Sequence, residues 1–443
     1  MQEPLQENLA KFIAQCDWEK IPEHFKEDAR YRVLDWVGCA VAGAHYPQKQ
    51  IAKQYIDSLN ETGECTVIGE RQKYSPRSAA YLNGIAGHVC ELDDGHRTAI
   101  GHPGSITVPT ALAMAEKTGA TGTQFLKAVI LGYDVFARLG RCVNPSHYRT
   151  WHTTGTCGTM AACATAASLL GLTAEQTNDA LGIACTSAGG LVDSFGTLSK
   201  ATTIALACQN GIDAASLAKL GLTGSHSALA GPKGFLIATS ADPHLENLEN
   251  PSEENLVSDT AFYKVYSSCG HTNSPLDVIN KIHKETNFDP RQVEKIVVKT
   301  YKVSVDLTSH KNVSTQDSAK FSTPYCFAIL LLKGSVSLAN FEESVRKDPV
   351  VTDLMNRVTV EEDPEATANF PRRQAEVIVT MKDGTVHRAK TLDSCDKADN
   401  EQIIAKFNAA LPFWSEQKRK VVVDVITHVD KLPCLTNLAA LLV

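Results

Sequence analysis

The segment from residue 91 to residue 104 has a high density of groups that can take part in acid–base chemistry. It contains three carboxylates, two imidazoles and one guanidinium: Glu91, Asp93, Asp94, His96, His102 and Arg97. Residues 75–76, Ser-Pro, open a predicted helix that runs toward Leu92, so the acids lie at or just past its negatively polarised C-terminal end. Their mutual repulsion is expected to raise the pKa of at least one of them. Acids placed there lower the stability of the protein, and tolerance of that loss favours a functional role for them. The alternative is a solvated acidic loop.

His102 stands in a loop that suits close contact with a ligand. Pro103 after it disfavours a helical backbone, and Gly101 and Gly104 let the chain approach a bound molecule closely. An imidazole in such a loop can act as a general base near neutral pH. The alternative from the residues alone is an ordinary surface histidine.

Two further groups stand where anions are readily bound. His152 precedes a Thr-Thr-Gly run at the start of a predicted helix, where hydroxyls and backbone amides favour an anion. Lys200 lies in the uncharged stretch 197–205, with no acidic neighbour closer than Asp193. A substrate carboxylate would be a suitable partner for this cation. Helix capping by His152 and a solvated Lys200 are the alternatives.

Length and composition describe a globular protein with dispersed, slightly acidic charge. The chain has 443 residues, of which 43% are hydrophobic and 21% charged, and its net charge is −7. This charge argues against a nucleic-acid partner or an anionic membrane surface, but not against a small anionic substrate. We recognise no apolar run long enough to span a membrane and no signal peptide. The thirteen cysteines form no C-x-x-C pair, so we expect reduced thiols in a cytoplasmic protein.

The first 262 residues predict one helix after another. Hydrophobic periodicity and capping patterns mark helices over residues 21–42, 105–118 and 124–139, and from residue 173 onward. Runs of Gly, Ala, Ser, Thr and Cys occur at 155–168 and 205–218. Helices built from such small residues can pack with their backbones close together, so these runs indicate a tight helical core.

The sequence pattern changes near Lys264. Residues 293–301 alternate as a β-strand does, and residues 376–387 form a hairpin pattern with an Asp-Gly turn. Helical periodicity returns at about Asn400. We therefore predict a mainly α protein in which a large all-helical domain is formed by both chain ends and a smaller α+β lid domain is inserted. The predicted limits are 1–262 and 398–443 for the helical domain and 263–397 for the lid domain.

Motifs spread over essentially the full length resemble the MmgE/PrpD family. Their order and spacing carry the resemblance: ELDDGHR and GHPG within 91–104, GYDVFARLG at 132–140, WHTTGTCGTMAACATAASLLGL at 151–172, the step at 199–200, GPKGF at 231–235, KVYSSCGHTN at 264–273 and PYCFAILLLKG at 324–334. The family includes 2-methylcitrate dehydratase, cis-aconitate decarboxylase and iminodisuccinate epimerase. The resemblance implies chemistry without a cofactor or metal on a small di- or tricarboxylate, in a homodimer whose active site lies between the helical and lid domains.

The resemblance also implies a set of site residues. The expected catalytic residues are His102, His152, Lys200, Lys264, His271 and Tyr325. The expected substrate-binding residues are Glu91, Asp94, Arg97 and Cys269. From the residues alone, 264–271 is an ordinary linker and Tyr325 a core side chain. Glu91 stands where many members have Asp, and Cys269 stands where decarboxylase-like members have His. These departures weaken a direct assignment to cis-aconitate decarboxylation.

The resemblance implies removal of a proton from a carbon next to a carboxylate. Such protons are weakly acidic, so the enzyme must supply a base and cations that stabilise the enolate-like intermediate. We expect His102 as the base, with Lys200 and Lys264 as the cations and Arg97 as a weaker third. The residues expected to supply the acid are His152, His271 and Tyr325. A 2-methylcitrate dehydratase-like lyase is the first expectation. An epimerase of a dicarboxylate such as iminodisuccinate, or a cis-aconitate-type decarboxylase, is the alternative.

Two function classes outside this family remain open from the residues. A metal-dependent hydrolase would use a mixed carboxylate and imidazole ligand set, drawn from Asp93, Asp94, His96 and His102. No compact ligand spacing such as H-E-x-x-H supports it. A non-catalytic helical scaffold is the other class, although a scaffold has no need for lysines and histidines inside a core of small residues.

Overall fold

The computed structural model describes residues 4–258, 261–394 and 398–443. Over these ranges the chain is mainly helical, which confirms the predicted class. None of the described helices is both long and apolar enough to cross a membrane. The described cysteines are free thiols and most are buried, as expected, while Cys395 lies outside the described residues.

The described helices and strands follow one another in a simple order. The helices of the N-terminal part are α1 (Leu5–Gln15), α2 (Glu23–Gly43), α3 (Pro47–Ser58), α4 (Pro76–His88), α5 (Gly104–Thr118), α6 (Gly122–Val143), α7 (Thr153–Leu170), α8 (Ala174–Ser187), α9 (Lys200–Lys219) and α10 (Phe235–Thr239). The later helices are α11 (Asn273–Thr286), α12 (Lys302–Thr308), α13 (Gln316–Lys320), α14 (Thr323–Lys333), α15 (Glu343–Arg346), α16 (Pro349–Asn356), α17 (Pro364–Ala368), α18 (Asn400–Ala410), α19 (Glu416–Thr427) and α20 (Thr436–Leu441). The strands are β1 (Cys65–Thr66), β2 (Lys73–Tyr74), β3 (Gly95–His96), β4 (Ala261–Phe262), β5 (Val293–Thr300), β6 (Val358–Glu362), β7 (Ala375–Met381) and β8 (Val386–Thr391).

Local capping signals begin several helices where the sequence predicts them. The Ser75 hydroxyl accepts a backbone hydrogen bond at the start of α4. Thr173 forms the predicted capping box at the start of α8, and Thr121, which was not predicted as a cap, forms another at the start of α6. Helix α4 ends at His88, so the acids of the 91–104 loop follow a helix C-terminus, as predicted.

Helices α7 and α9 pack against each other at the centre of the helical part. Gly155 lies beside Thr203, and Gly211 lies so close to Ala162 that a Cβ on this glycine would overlap it. These two contacts show that the helices run in the same direction. Their N-terminal ends therefore lie side by side, and the small residues make this close approach possible.

Two short strand pairs interrupt the part that the sequence predicts to be helical only. Strand β1 pairs with β2, and β3 pairs with β4, both antiparallel. The second pair ties the 91–104 loop to residues 261–262. Each strand has only two residues, which is too short for an alternating pattern to be recognised in the sequence.

A four-stranded sheet lies in the part that the sequence predicts to be mixed. Its order is β6-β5-β7-β8, with β5 and β6 parallel and the other pairs antiparallel. Alternate residues of β7 are buried, and β5 and β7 share an apolar core with α11 and α14. The predicted strand and hairpin are therefore confirmed. We call residues 266–394 the sheet segment.

The C-terminal helices α18 and α19 pack against α2. Phe407 lies against Gly38, and Ile426 belongs to the same apolar core as Val33. The end of the chain thus joins the N-terminal helical layer. The domain limits at 262/263 and 397/398 stay predictions, and residue 397 lies outside the described residues.

Candidate active site

A pocket lies where the 91–104 loop, the starts of α7 and α9, and the sheet segment meet. The space between its walls is about 400 Å³, counted out into open solvent. The predicted site residues that line it are Glu91, His102, His152, Lys200, Cys269 and His271. Its wall also includes residues that the sequence analysis did not select: Tyr148, Phe195, Phe262, Phe321 and Arg373. The fold thus brings acid–base groups from distant segments to one cavity.

Three helix N-termini lie at this pocket. His102 precedes α5 by two residues, His152 comes immediately before α7, and Lys200 is the first residue of α9. An α-helix has partial positive charge and unpaired N–H groups at this end. Together the three ends create a field that favours an anionic ligand.

The 91–104 loop contains two non-glycine residues in the left-handed region. Glu91 and Ile100 both have φ of +52°, and both line the pocket. This backbone conformation is uncommon for such residues, particularly for β-branched isoleucine. Strained conformations persist where surrounding structure holds them, and they cluster at functional sites.

Glu91 is the centre of a buried cluster of charges. Lys264 is 0% exposed, and its Nζ donates to Glu91 Oε2 and to the Glu91 carbonyl oxygen, both at 3.1 Å. Lys200 Nζ donates to Glu91 Oε1. Burial alone would raise the pKa of the Glu91 carboxyl, but Lys200 and Lys264 lower it well below its ordinary value. Lys200 therefore has an acidic partner within the chain, which its uncharged sequence surroundings did not indicate.

His102 is a neutral imidazole in the pocket wall. Its Nδ1 lies 2.6 Å from the carbonyl oxygen of Asp94, which can only accept, so Nδ1 carries the proton and Nε2 keeps its lone pair. Burial lowers the pKa of His102 to about 3, although the Asp93 carboxylate acts in the opposite direction. The side chain is still 16% exposed. A partly accessible neutral imidazole with a defined lone-pair nitrogen fits the role of a general base.

The pH dependence of activity should reflect this low pKa. Because the pKa of His102 lies at about 3 instead of its usual 6.5, the base stays unprotonated throughout the mildly acidic range. We expect kcat/KM, corrected for protonation of the substrate, to stay constant from about pH 8 to about pH 5. Steady-state kinetics across this range provides the check. A base with an ordinary histidine pKa would instead lose about 30-fold in kcat/KM between pH 8 and pH 5, and that result would contradict the assignment.

His152 and His271 are two more neutral imidazoles of the pocket wall. His152 Nδ1 lies 2.9 Å from the Thr203 hydroxyl, which itself donates to the Lys200 carbonyl, so Nδ1 is the donor and Nε2 the acceptor nitrogen. His271 Nδ1 lies 2.7 Å from the Tyr301 hydroxyl. Burial lowers the pKa of both imidazoles well below the usual value, with the cations Lys200 and Arg373 as the next causes for His152 and His271 respectively.

His88, which was not predicted as a site residue, packs against the ring of His102. His88 Nδ1 lies 2.7 Å from Asp93 Oδ2, and the same oxygen accepts from the Ser105 hydroxyl at 2.7 Å. The rings of His88 and His102 meet edge to face, with centroids 4.9 Å apart. The available signal was the position of His88, one helical turn before Glu91 at the end of α4.

Four predicted site residues do not line the pocket: Lys264, Arg97, Tyr325 and Asp94. Lys264 contacts the pocket residue Glu91. Arg97 pairs with Asp393, and the Tyr325 hydroxyl donates to the Asn340 carbonyl at 2.6 Å inside the core of the sheet segment. Asp94 is buried and accepts from the Tyr133 hydroxyl at 2.8 Å. Its carbonyl orients His102 as described above, and its carboxylate accepts from the Gly104 amide at 3.1 Å in the same loop. Burial raises the pKa of Asp94 to about 6, so one acid of the loop does have a raised pKa, as predicted, with burial as the larger cause.

The ligand set of the metal hypothesis is not assembled. His96 Nε2 lies 3.2 Å from the Val257 carbonyl, and its Nδ1 accepts from the Ala99 amide. Within the described ranges, donor atoms of His88, Asp93 and His102 do lie within 4.8 Å of one another. Hydrogen bonds between these groups and the 91–104 loop already account for that arrangement, and nothing else in it points to a metal.

Comparison with known proteins identifies the family of this chain. The chain matches the MmgE/PrpD N-terminal domain over residues 7–248 and the MmgE/PrpD C-terminal domain over residues 266–429. It is 27% identical to cis-aconitate decarboxylase of Aspergillus terreus, over 96% of this chain and 94% of the relative. It is 27% identical to human cis-aconitate decarboxylase, over 80% and 75% respectively. It is 22% identical to 2-methylcitrate dehydratase of Escherichia coli K12, over 86% and 81%. The two matched domains cover most of the chain, and this protein therefore belongs to the MmgE/PrpD family.

Proposed function

We propose that this protein is a lyase that removes a proton next to a carboxylate of a small di- or tricarboxylate and then expels a hydroxyl group. The observation that carries the proposal is His102, a neutral base with a fixed tautomer in the wall of a cationic pocket. Removal of a weakly acidic C–H proton needs such a base and cations close to the developing charge. Lys200, Lys264 and three helix N-termini supply the positive field.

The dehydration would proceed in two bond-breaking steps. His102 Nε2 takes the proton from carbon, and the electron pair of the broken C–H bond enters the adjacent carboxylate as an enolate-like dianion. The electrons then return to form the C=C bond, and the C–O bond breaks as the hydroxyl takes up a proton and leaves as water. His271, which lines the pocket, is our candidate donor of that proton, in the tautomer in which Tyr301 donates to Nδ1 and the imidazole proton is on Nε2.

Decarboxylation of cis-aconitate is the second candidate. The relatives that cover most of this chain at 27% identity are named as cis-aconitate decarboxylases, which favours this reaction. Loss of carbon dioxide, however, begins without a base, and it needs a proton donor for the resulting carbanion. Dehydration needs the base that His102 provides and decarboxylation does not, so we place dehydration first.

Proton NMR in D2O with 2-methylcitrate, cis-aconitate and iminodisuccinate as substrates distinguishes the candidates. We expect 2-methylcitrate to lose water. Its methyl doublet becomes a singlet if the proton is taken from the methyl-bearing carbon, and a new alkene proton appears if it is taken from the methylene group. Formation of a decarboxylated product from cis-aconitate, with 2-methylcitrate unchanged, would overturn dehydration in favour of the second candidate. Inversion of iminodisuccinate alone would identify an epimerase. If all three compounds stay unchanged and gain no deuterium, proton abstraction from this substrate class is wrong.

A further inference from the structure

Arg373 is a buried cation in the pocket wall that neither the sequence motifs nor the proposed reaction uses. It lies in the sheet segment two residues before β7 and is 5% exposed. Its Nη1 donates to the Gly270 carbonyl oxygen at 3.1 Å, and its guanidinium lies over the Phe262 ring at 4.8 Å. Among the residues that the structure describes, no carboxylate forms an ion pair with it.

The guanidinium therefore keeps most of its donor capacity for a ligand. A guanidinium carries five N–H donors, and one of the Arg373 donors is used by Gly270. The neighbouring acid Asp393 accepts from the Arg373 backbone amide and from the Arg97 side chain instead. A buried charge without a counter-charge is costly, and a bound carboxylate would offset that cost through two parallel hydrogen bonds.

Arg373 and Lys200 occupy different parts of the wall. Lys200 Nζ lies 5.0 Å from the centroid of Phe195 and 5.1 Å from that of Phe321, and it pairs with Glu91. Arg373 contacts Phe262 and belongs to the sheet segment, not to the helical part. The pocket wall thus contains two cations, one from each part of the fold. Within the described part of the chain, Lys200 has a partner carboxylate and Arg373 has none.

We propose that Arg373 binds a second carboxylate of the substrate, away from the carboxylate next to the reacting carbon. It would thereby make the pocket selective for di- and tricarboxylates over monocarboxylates. This inference rests on the proposed function for the position of the reacting carboxylate. Arg373 would then be a specificity residue in the sheet segment, and the bound substrate would contact both parts of the fold.

Calorimetric titration with tricarballylate, which has three carboxylates and no hydroxyl to lose, tests the proposal without turnover. We expect Arg373→Met to weaken binding by about 10- to 100-fold, the range for loss of hydrogen bonds to a charged group. Arg373→Lys keeps the charge but not the planar fork, so its affinity should lie between those of the wild type and Arg373→Met. The matched control is Arg372→Met, which removes the same charge from an exposed neighbour and should bind as the wild type does. Circular dichroism and melting temperature verify that each variant is folded.

Two results would overturn the inference. One is that Arg373→Met and Arg373→Lys bind tricarballylate as tightly as Arg372→Met does. The other is that the wild type binds tricarballylate no more tightly than butyrate, its monocarboxylate counterpart. The NMR experiment in D2O judges the proposed function separately. If the Arg373 variants bind tricarballylate normally while the wild type exchanges substrate protons with D2O, this inference alone is refuted. If the variants bind tricarballylate weakly but the wild type shows no exchange, the proposed function alone is refuted.

Discussion

Replacement of His102 by glutamine is expected to lower kcat/KM by about 10³-fold, within the usual range for removal of a general base. Glutamine can preserve the hydrogen bond that Nδ1 of His102 makes to the Asp94 carbonyl, through its amide group. It has no basic nitrogen to replace Nε2. The loss should therefore appear mainly in kcat, with tricarballylate affinity nearly unchanged. Steady-state kinetics with the substrate identified by NMR measures the first quantity, and calorimetry measures the second.

The control for this prediction is a histidine far from the pocket. His428 is exposed at the end of α19, where its Nδ1 lies 2.9 Å from the Asp424 carbonyl. We expect His428→Gln to keep wild-type kinetics. Removal of a general base lowers the rate by at least about 10²-fold. If His102→Gln retains more than about a tenth of wild-type kcat/KM, His102 is not the general base.

Replacement of Glu91 by glutamine is expected to lower the free energy of unfolding by about 3–5 kcal/mol at neutral pH, the usual cost of breaking a buried ion pair from one side. The change keeps the size of the side chain but removes a carboxylate that, among the described residues, is the one bonded to both Lys200 and Lys264. Because the pKa of Glu91 lies well below its ordinary value, the wild-type carboxylate is fully charged at this pH. Urea unfolding followed by circular dichroism measures the loss.

Two variants show whether the charge of Glu91 is responsible. Glu91→Asp keeps the carboxylate and should retain most of the stability. Glu416→Gln breaks an exposed pair with Lys420 in α19 and should leave the unfolding midpoint unchanged. A Glu91→Gln protein as stable as the Glu416→Gln protein would mean that the buried lysines do not depend on this carboxylate.

Much of the fold follows from signals that act over a few residues. The caps at Ser75, Thr121 and Thr173 act within one helical turn, and the Asp-Gly turn of the β7–β8 hairpin acts within two residues. The N-cap position of His152 is local in the same sense. These elements were predictable because their causes lie beside them in the chain.

The pairings inside the pocket depend on contacts between distant residues. Glu91 and Lys200 are 109 positions apart, so no charge pattern along the chain indicates that they form a pair. The family resemblance implied that Tyr325 is catalytic, but its ring lies in the apolar core around α14, where the Asn340 carbonyl accepts from its hydroxyl. A motif fixes a position in the chain and does not fix where the side chain points.

Arg373 is the missed residue for which the sequence did hold a signal. It continues the alternation of β7, in which Ala375 and Val377 are buried, so its parity places it on the inner face, while Arg372 is exposed. Composition could not distinguish the two, because Arg372 and Arg373 are adjacent residues of the same type.

The homodimer implied by the resemblance stays a prediction.

The rate at which substrate C–H protons exchange with D2O tests the central claim most directly, because it reports proton removal before any later step. For the substrate identified by NMR, we expect wild type and His428→Gln to incorporate deuterium next to a carboxylate at equal rates. His102→Gln should do so at least about 10²-fold more slowly at saturating substrate. Exchange in His102→Gln at the wild-type rate would contradict the assignment of His102 as the base and, with it, the mechanism derived from this pocket.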